Sequence, residues 1–129
     1  MMSLPTRAMP CCTLDQVREL VADFYRRVRA DRLLGPVFAA HVEDWQHHEQ
    51  RLVAFWNGLL RGEAGFSGAP LPRHLALPGL EWESFERWLQ LFGEAADASG
   101  NAAMAALARE RAGRIAEHFW RHYRQHHGI

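Results

Sequence analysis

The sequence predicts an all-α fold, and three observations carry that expectation. Four segments repeat apolar residues at steps of three and four, the spacing that lines one face of a helix. No segment alternates apolar and polar residues for long enough to make a convincing strand. Helix breakers gather in one stretch, 61–78, which holds Gly62, Gly65, Gly68, Pro70, Pro72 and Pro78.

The first helix is expected from Thr13 to about Arg29. Thr13-Leu14-Asp15-Gln16 has the capping-box form, with a hydroxyl at the cap and a glutamine three residues on. Val17, Leu20, Val21, Phe24 and Val28 then share one face, with Arg18, Asp23, Arg26 and Arg27 opposite. Residues 1–12 carry two prolines and no periodicity, so they read as a flexible leader to a single domain over 13–129. After the first helix, Leu33-Leu34-Gly35-Pro36-Val37-Phe38 reads as a turn enforced by the Gly-Pro pair.

A second helix is expected over 43–60. Its stripe of Trp45, His48, Leu52, Phe55, Trp56 and Leu59 places an imidazole among apolar side chains. The stretch 61–78 has room for one short helix around 71–77. A third long helix over 81–99 buries Phe85, Trp88, Leu89 and Phe92, and Ser99-Gly100-Asn101 ends it. The fourth, over 102–125, turns Met104, Leu107, Ala108, Ile115, Phe119 and Tyr123 inward.

A chain of 129 residues fits one domain. At that size folding buries roughly two-thirds of the surface of the extended chain, enough for one core. Fifteen basic residues balance fifteen acidic ones, so no net field points to nucleic acid or an anionic membrane. No apolar run approaches the roughly 18 residues of a membrane span. The N-terminus shows no signal-peptide pattern, and the cytoplasm is the expected compartment. Cys11 and Cys12, the only cysteines, are adjacent and make no disulfide framework. Eight histidines, five tryptophans and seven phenylalanines in so short a chain direct attention to a large planar ligand.

His74 stands in the breaker-rich stretch between Leu71, Leu75 and Leu77. Long connections with little structure are uncommon in small domains unless they carry function. Taken alone, His74 reads as a half-buried imidazole capping a carbonyl. His48 changes its company. Two inward imidazoles 74 − 48 = 26 residues apart suit a haem pocket, one binding the iron and the other lying across the ring. Tyr25 and Trp88 each combine a flat ring with one hydrogen-bond donor. Each also has a plain reading as core packing with a polar tip at the surface.

Beyond these residues, the sequence resembles the truncated haemoglobins, and within them group III. The resemblance spans roughly 14–123. It rests on Phe24-Tyr25-Arg26-Arg27-Val28, on Leu34-Gly35-Pro36-Val37-Phe38, and on Glu43-Asp44-Trp45 with His48 and Phe55-Trp56. It continues in Phe66-Ser67-Gly68, Pro70-Leu71, His74-Leu75 and Leu77-Pro78, then in Phe85, Trp88, Leu89, Leu91 and Phe92.

The resemblance implies a two-over-two helical sandwich around haem b (iron protoporphyrin IX), with His74 as the iron ligand. It implies that Tyr25 and Trp88 donate hydrogen bonds to a small ligand at the iron, with His48 as a gate or polar contact. Phe38 would pack on the haem face, with Leu52, Phe55, Trp56, Leu77 and Phe92 around it. Arg73, and Arg51 beside it, would pair with the propionates. The expected ligands are O₂, NO or other small molecules. Two donors favour chemistry on the bound ligand, NO dioxygenation or peroxide reduction, over oxygen transport. The chain has no dinucleotide fingerprint, so catalysis would need a separate electron-donating reductase. A rival reading is a non-haem metal site on the last helix, where His118 and His122 stand four residues apart. Its plain counterpart is a solvated basic helix end.

Overall fold

The computed structural model describes residues 10–62 and 80–128. Among these residues there are five helices and no strand: α1 (Leu14–Ala30), α2 (Leu34–His41), α3 (Trp45–Arg61), α4 (Trp82–Ala98) and α5 (Ala102–His127). The four long helices stand where the periodicity places them, within two residues at either end. Helix α1 packs on α3, α4 packs on α5, and α1 also packs on α4. Two pairs of helices are thereby laid against each other. The expected short helix around 71–77 lies outside the described residues, as do His74, Arg73 and Leu77.

Helices α1, α3 and α5 each start on a side-chain cap where N-terminal N–H groups lack partners. The Thr13 hydroxyl accepts from Gln16 N–H at 3.1 Å, and the Gln16 side chain accepts from Thr13 N–H at 2.9 Å, so the predicted capping box is formed. Asp44 accepts from His47 N–H at 3.1 Å to start α3. Asn101 accepts from Met104 N–H at 3.0 Å to start α5. The α1 face Val17, Leu20, Val21, Phe24 and Val28 is buried as its spacing requires. On α5 the innermost stripe is Ala105, Ala108, Ala112 and Ala116, small residues that allow the neighbouring helices close.

The structure corrects two expectations. Gly35-Pro36 does not make a turn; it lies in the first turn of α2. Proline is tolerated there because its missing N–H would have had no partner inside the helix. Gly35 serves a close approach: a Cβ at this position would sit 3.0 Å from the Arg29 carbonyl oxygen and 3.3 Å from that of Val28. Both are backbone atoms that cannot swing aside. Gly35→Ala is expected to cost about 1–3 kcal/mol, as overpacking does. Urea unfolding checks this, and an unchanged or higher midpoint would show that α1 and α2 have slack between them.

The second correction concerns the end of the leader. Residues 1–9 lie outside the described residues, but Cys11 and Cys12 are packed against the fold. Cys12 is buried, its carbonyl accepts from Arg61 Nε at 3.2 Å, and the Cys11 carbonyl accepts from Asn101 Nδ2 at 2.8 Å. Burial, with Cys11 alongside, pushes the Cys12 thiol up to about 11. A thiol held protonated is a poor nucleophile.

Candidate haem site

Helices α2, α4 and α5 line a half-open cleft. Leu34, Val37 and Phe38 line it from α2, Ser84, Phe85 and Trp88 from α4, and Ile115, Ala116 and Phe119 from α5, with Leu80 just before α4. Their spacings explain the convergence. Leu34, Val37 and Phe38 follow the three-and-four step of one helical face, as do Phe85 with Trp88 and Ile115 with Phe119. Among the lining residues only Ser84 and Trp88 carry a polar side-chain group. A slot walled by flat rings, with very few polar groups, suits a large apolar macrocycle.

Behind Phe38 lies a polar pair inside an aromatic box. Tyr25 is 3% exposed, and its hydroxyl lies 3.1 Å from His48 Nε2, joining α1 to α3. Phe38 and Trp45 pack edge-on to the Tyr25 ring, at 6.1 and 5.9 Å between centroids. The Arg29 guanidinium covers the Trp45 ring at 4.6 Å, a cation–π contact that closes the box from outside. Burial, with the Glu49 carboxylate adding to it, pushes the Tyr25 phenol far above its ordinary value. Tyr25 therefore keeps its proton and remains a donor. The roles in its bond to His48 follow the imidazole tautomer. With the ring proton on Nε2, His48 donates to Tyr25, and the tyrosine hydrogen is free for a third group.

Trp88 belongs both to the cleft wall and to the core. Its ring meets Phe24 edge-on at 5.6 Å and stacks on Phe92 at 5.5 Å. Phe24 also meets Tyr25 at 5.0 Å, so one phenylalanine braces both candidate donors. The other predicted contacts divide. Trp56 and Phe92 are buried and stacked on each other at 4.5 Å in the core, away from the cleft lining. Leu52 and Phe55 are half-buried against the same core, on the side of α3 that follows His48.

Sequence reasoning passed over one polar device, which holds α2 and α4 together. Asp31 Oδ2 accepts from Leu34 N–H at 2.9 Å and from Leu33 N–H at 3.1 Å, which caps the start of α2. Its Oδ1 accepts from Arg87 Nε at 2.6 Å, beside Trp88 on α4. The Asp31 carboxylate is 2% exposed. Burial alone would raise its pKa, but the Arg87 guanidinium and the two N–H groups outweigh it, and the net shift is downward. A depressed carboxylate stabilises the fold above its unfolded value, near pH 4, and that contribution fades as pH falls toward the folded value. Asp31→Asn is expected to lose about 1–3 kcal/mol at neutral pH. Its stability should fall less steeply than the unsubstituted protein's below pH 4. Urea midpoints across that range check both, and parallel curves would rule out the linkage. A signal existed in the sequence, since an Asp two and three residues before an apolar helix start is a capping pattern.

The sequence profile of the bacterial-like globins matches residues 13–120. The group 3 truncated hemoglobin ctb of Campylobacter jejuni is 38% identical over 109 residues, covering 81% of this chain and 86% of that protein. The chain is a group III truncated haemoglobin. A crystal structure of the group III truncated hemoglobin from Campylobacter jejuni superposes with a TM-score of 0.81 at 35% identity, over 95% of each chain. The group 1 truncated hemoglobin GlbN of Nostoc is also similar, 29% identical over 96 residues, covering 72% of this chain and 80% of that protein. The paired helices of this globin are thus the expected truncated-globin sandwich. Membership implies a haem and small ligands at its iron.

The rival metal site draws no support from the geometry. His122 Nδ1 is bonded to the His118 carbonyl at 2.9 Å. Among the described residues no group of three or more His, Cys, Asp or Glu side chains is placed to hold a metal ion. No described helix is long and apolar enough to cross a membrane.

Proposed function

We propose that this globin holds haem b in the cleft between α2, α4 and α5, with His74 on the iron, and does redox chemistry on a small diatomic ligand or a peroxide. The single observation behind the chemistry is the pairing of two donors around Phe24: a buried, protonated Tyr25 and an indole on the cleft wall. The haem, when bound, supplies the iron at which the ligand is held and reduced or oxidised. Everything else falls to the chain. Phe38, Phe85 and Phe119 exclude water and offer flat apolar faces. Trp88 presents its N–H to the cleft. Tyr25 presents its hydrogen when His48 donates to its oxygen, so His48 orients the tyrosine as well as standing in the entry path. Leu52 and Phe55 extend the apolar wall along α3, and Arg73 and Leu77 are proposed haem contacts, Arg73 to the carboxylates at its edge.

Hydrogen bonds to a partly charged acceptor contribute on the order of 1.5–3 kcal/mol each, and roughly 1.4 kcal/mol is tenfold in residence time. A ligand held by two of them leaves slowly. Slow release suits reaction over delivery, and it favours NO dioxygenation or peroxide reduction. Both consume electrons, so a separate reductase is part of the proposal. The test is the absorption spectrum of the ferric, ferrous and ferrous-CO protein, followed by peroxide consumption with a one-electron donor. A strong Soret band that responds to CO supports the reading, and its persistent absence after haem reconstitution removes it.

A further inference from the structure

Two aromatic stacks lead away from the cleft wall, and they end differently. One runs from Trp88 through Phe92 to Trp56, with ring separations of 5.5 and 4.5 Å, and Trp56 is only 2% exposed. It is sealed inside the protein. The other starts at Phe85, which lines the cleft, and meets Trp120 at 5.6 Å and Trp82 at 6.2 Å. Trp82 and Trp120 are 6.0 Å apart and both half-buried, one at the start of α4 and one near the end of α5. Each indole therefore has one side against the cleft wall and another toward solvent.

We infer that Trp82 and Trp120 form an electron relay between the cleft and the surface, by which a one-electron donor outside the protein serves peroxide reduction at the haem. The relay rests on the redox reading of the site. Reduction of one hydrogen peroxide to two waters takes two electrons and two protons. Trp120 or Trp82 yields one electron toward the cleft, and its oxidised indole releases the N–H proton to solvent. A one-electron reductant at the surface then returns an electron, and the indole regains its proton. Two such cycles complete the reduction, and the two protons consumed come from solvent.

The neighbouring phenol is a poorer member of the chain. Tyr123 stacks on Trp120 at 6.1 Å, but it is 2% exposed and its hydroxyl accepts from Leu80 N–H at 2.9 Å. An indole can give up an electron before its proton leaves, whereas a phenol needs its proton taken at the same time. The half-exposed indoles meet that condition better than the buried phenol. Both tryptophans lie outside the cleft lining, so replacing them leaves the ligand site as it is.

The experiment treats the haem-loaded ferric protein with hydrogen peroxide, freezes it for electron paramagnetic resonance, and maps oxidised residues by peptide mass spectrometry. Ferrocyanide serves as the one-electron donor in a parallel run. The expected result is an indole-centred radical, oxidation products at Trp82 and Trp120, and their suppression by ferrocyanide. In Trp82→Phe/Trp120→Phe that radical is lost while the CO spectrum and the initial Soret response to peroxide stay unchanged. The same indole radical in the double variant, or oxidation confined to Trp88 and Trp56, would overturn the relay. The absence of a Soret band or of any reaction with peroxide removes the relay together with the redox reading, and is told apart by the spectrum alone. If the double variant does not fold, Trp82→Phe and Trp120→Phe are mapped singly: oxidation is expected at the tryptophan that remains of the pair, and its confinement to Trp88 and Trp56 in either variant would overturn the relay.

Discussion

Replacing His74 with alanine is expected to abolish the five-coordinate histidine signature of the ferrous protein. In the sequence this imidazole stands among leucines in a breaker-rich stretch, and the cleft needs such a group. Every residue that lines the cleft among the described ones lacks a side chain suited to iron: Leu34, Val37, Phe38, Leu80, Ser84, Phe85, Trp88, Ile115, Ala116 and Phe119 offer no imidazole, thiolate or carboxylate. His48 is engaged with Tyr25 on the far side of Phe38. We propose His74, the residue the family resemblance implies, as the iron ligand. Haem retention should drop as well, because an iron–imidazole bond adds to the apolar contacts that hold the ring. The check is the ferrous spectrum of His74→Ala with and without added imidazole. Recovery of the signature by free imidazole is the expected result. An unaltered spectrum in the variant without imidazole would sink the assignment.

The helical plan was legible in the sequence because its signals are local. The capping box at Thr13, the stripe from Val17 to Val28 and the break at Ser99-Gly100-Asn101 each act within a few residues, and the structure follows them. What was not legible depends on partners distant in sequence. Gly35-Pro36 reads as a turn by its own chemistry. Only the approach of α2 to the Val28 and Arg29 carbonyls shows why a glycine stands there and why the chain continues as helix. The alanine stripe of α5 carries little hydrophobic weight, so Leu107 and Ile115 drew notice in place of Ala105, Ala112 and Ala116. In the site, Tyr25, His48 and Trp88 stand out because each joins an aromatic or imidazole ring to an apolar face, whereas Phe38 enters through the family resemblance. Trp56 and Phe92 satisfy the same rule and yet stack on each other in the core. Periodicity says which face turns inward; it does not separate the inside of a core from the wall of a cleft. Asp31 escaped for the complementary reason, since its weight comes from Arg87, 56 residues away.

The second large effect concerns ligand release. Tyr25→Phe and Trp88→Phe are each expected to speed O₂ dissociation by about tenfold or more, the loss of one hydrogen bond to a partly charged acceptor. Steric disturbance is the competing explanation, because both rings pack on Phe24. CO separates the two. Bound CO carries less charge on its outer atom than bound O₂, so a lost hydrogen bond speeds O₂ release far more than CO release, while a loosened wall alters both alike. The two sites also share a neighbour, and their effects need not add. If Tyr25 and Trp88 donate to the same ligand atom, the second substitution costs less than the first. If they serve different atoms, the losses multiply. A double-mutant cycle on O₂ dissociation reads this directly, with CO dissociation run in parallel as the steric control. Release rates within twofold of the unsubstituted protein in both single variants would remove the donor roles and leave Tyr25 and Trp88 as packing residues. The case for reaction over delivery would then lose its basis, because it depends on a ligand held long enough for an electron to arrive.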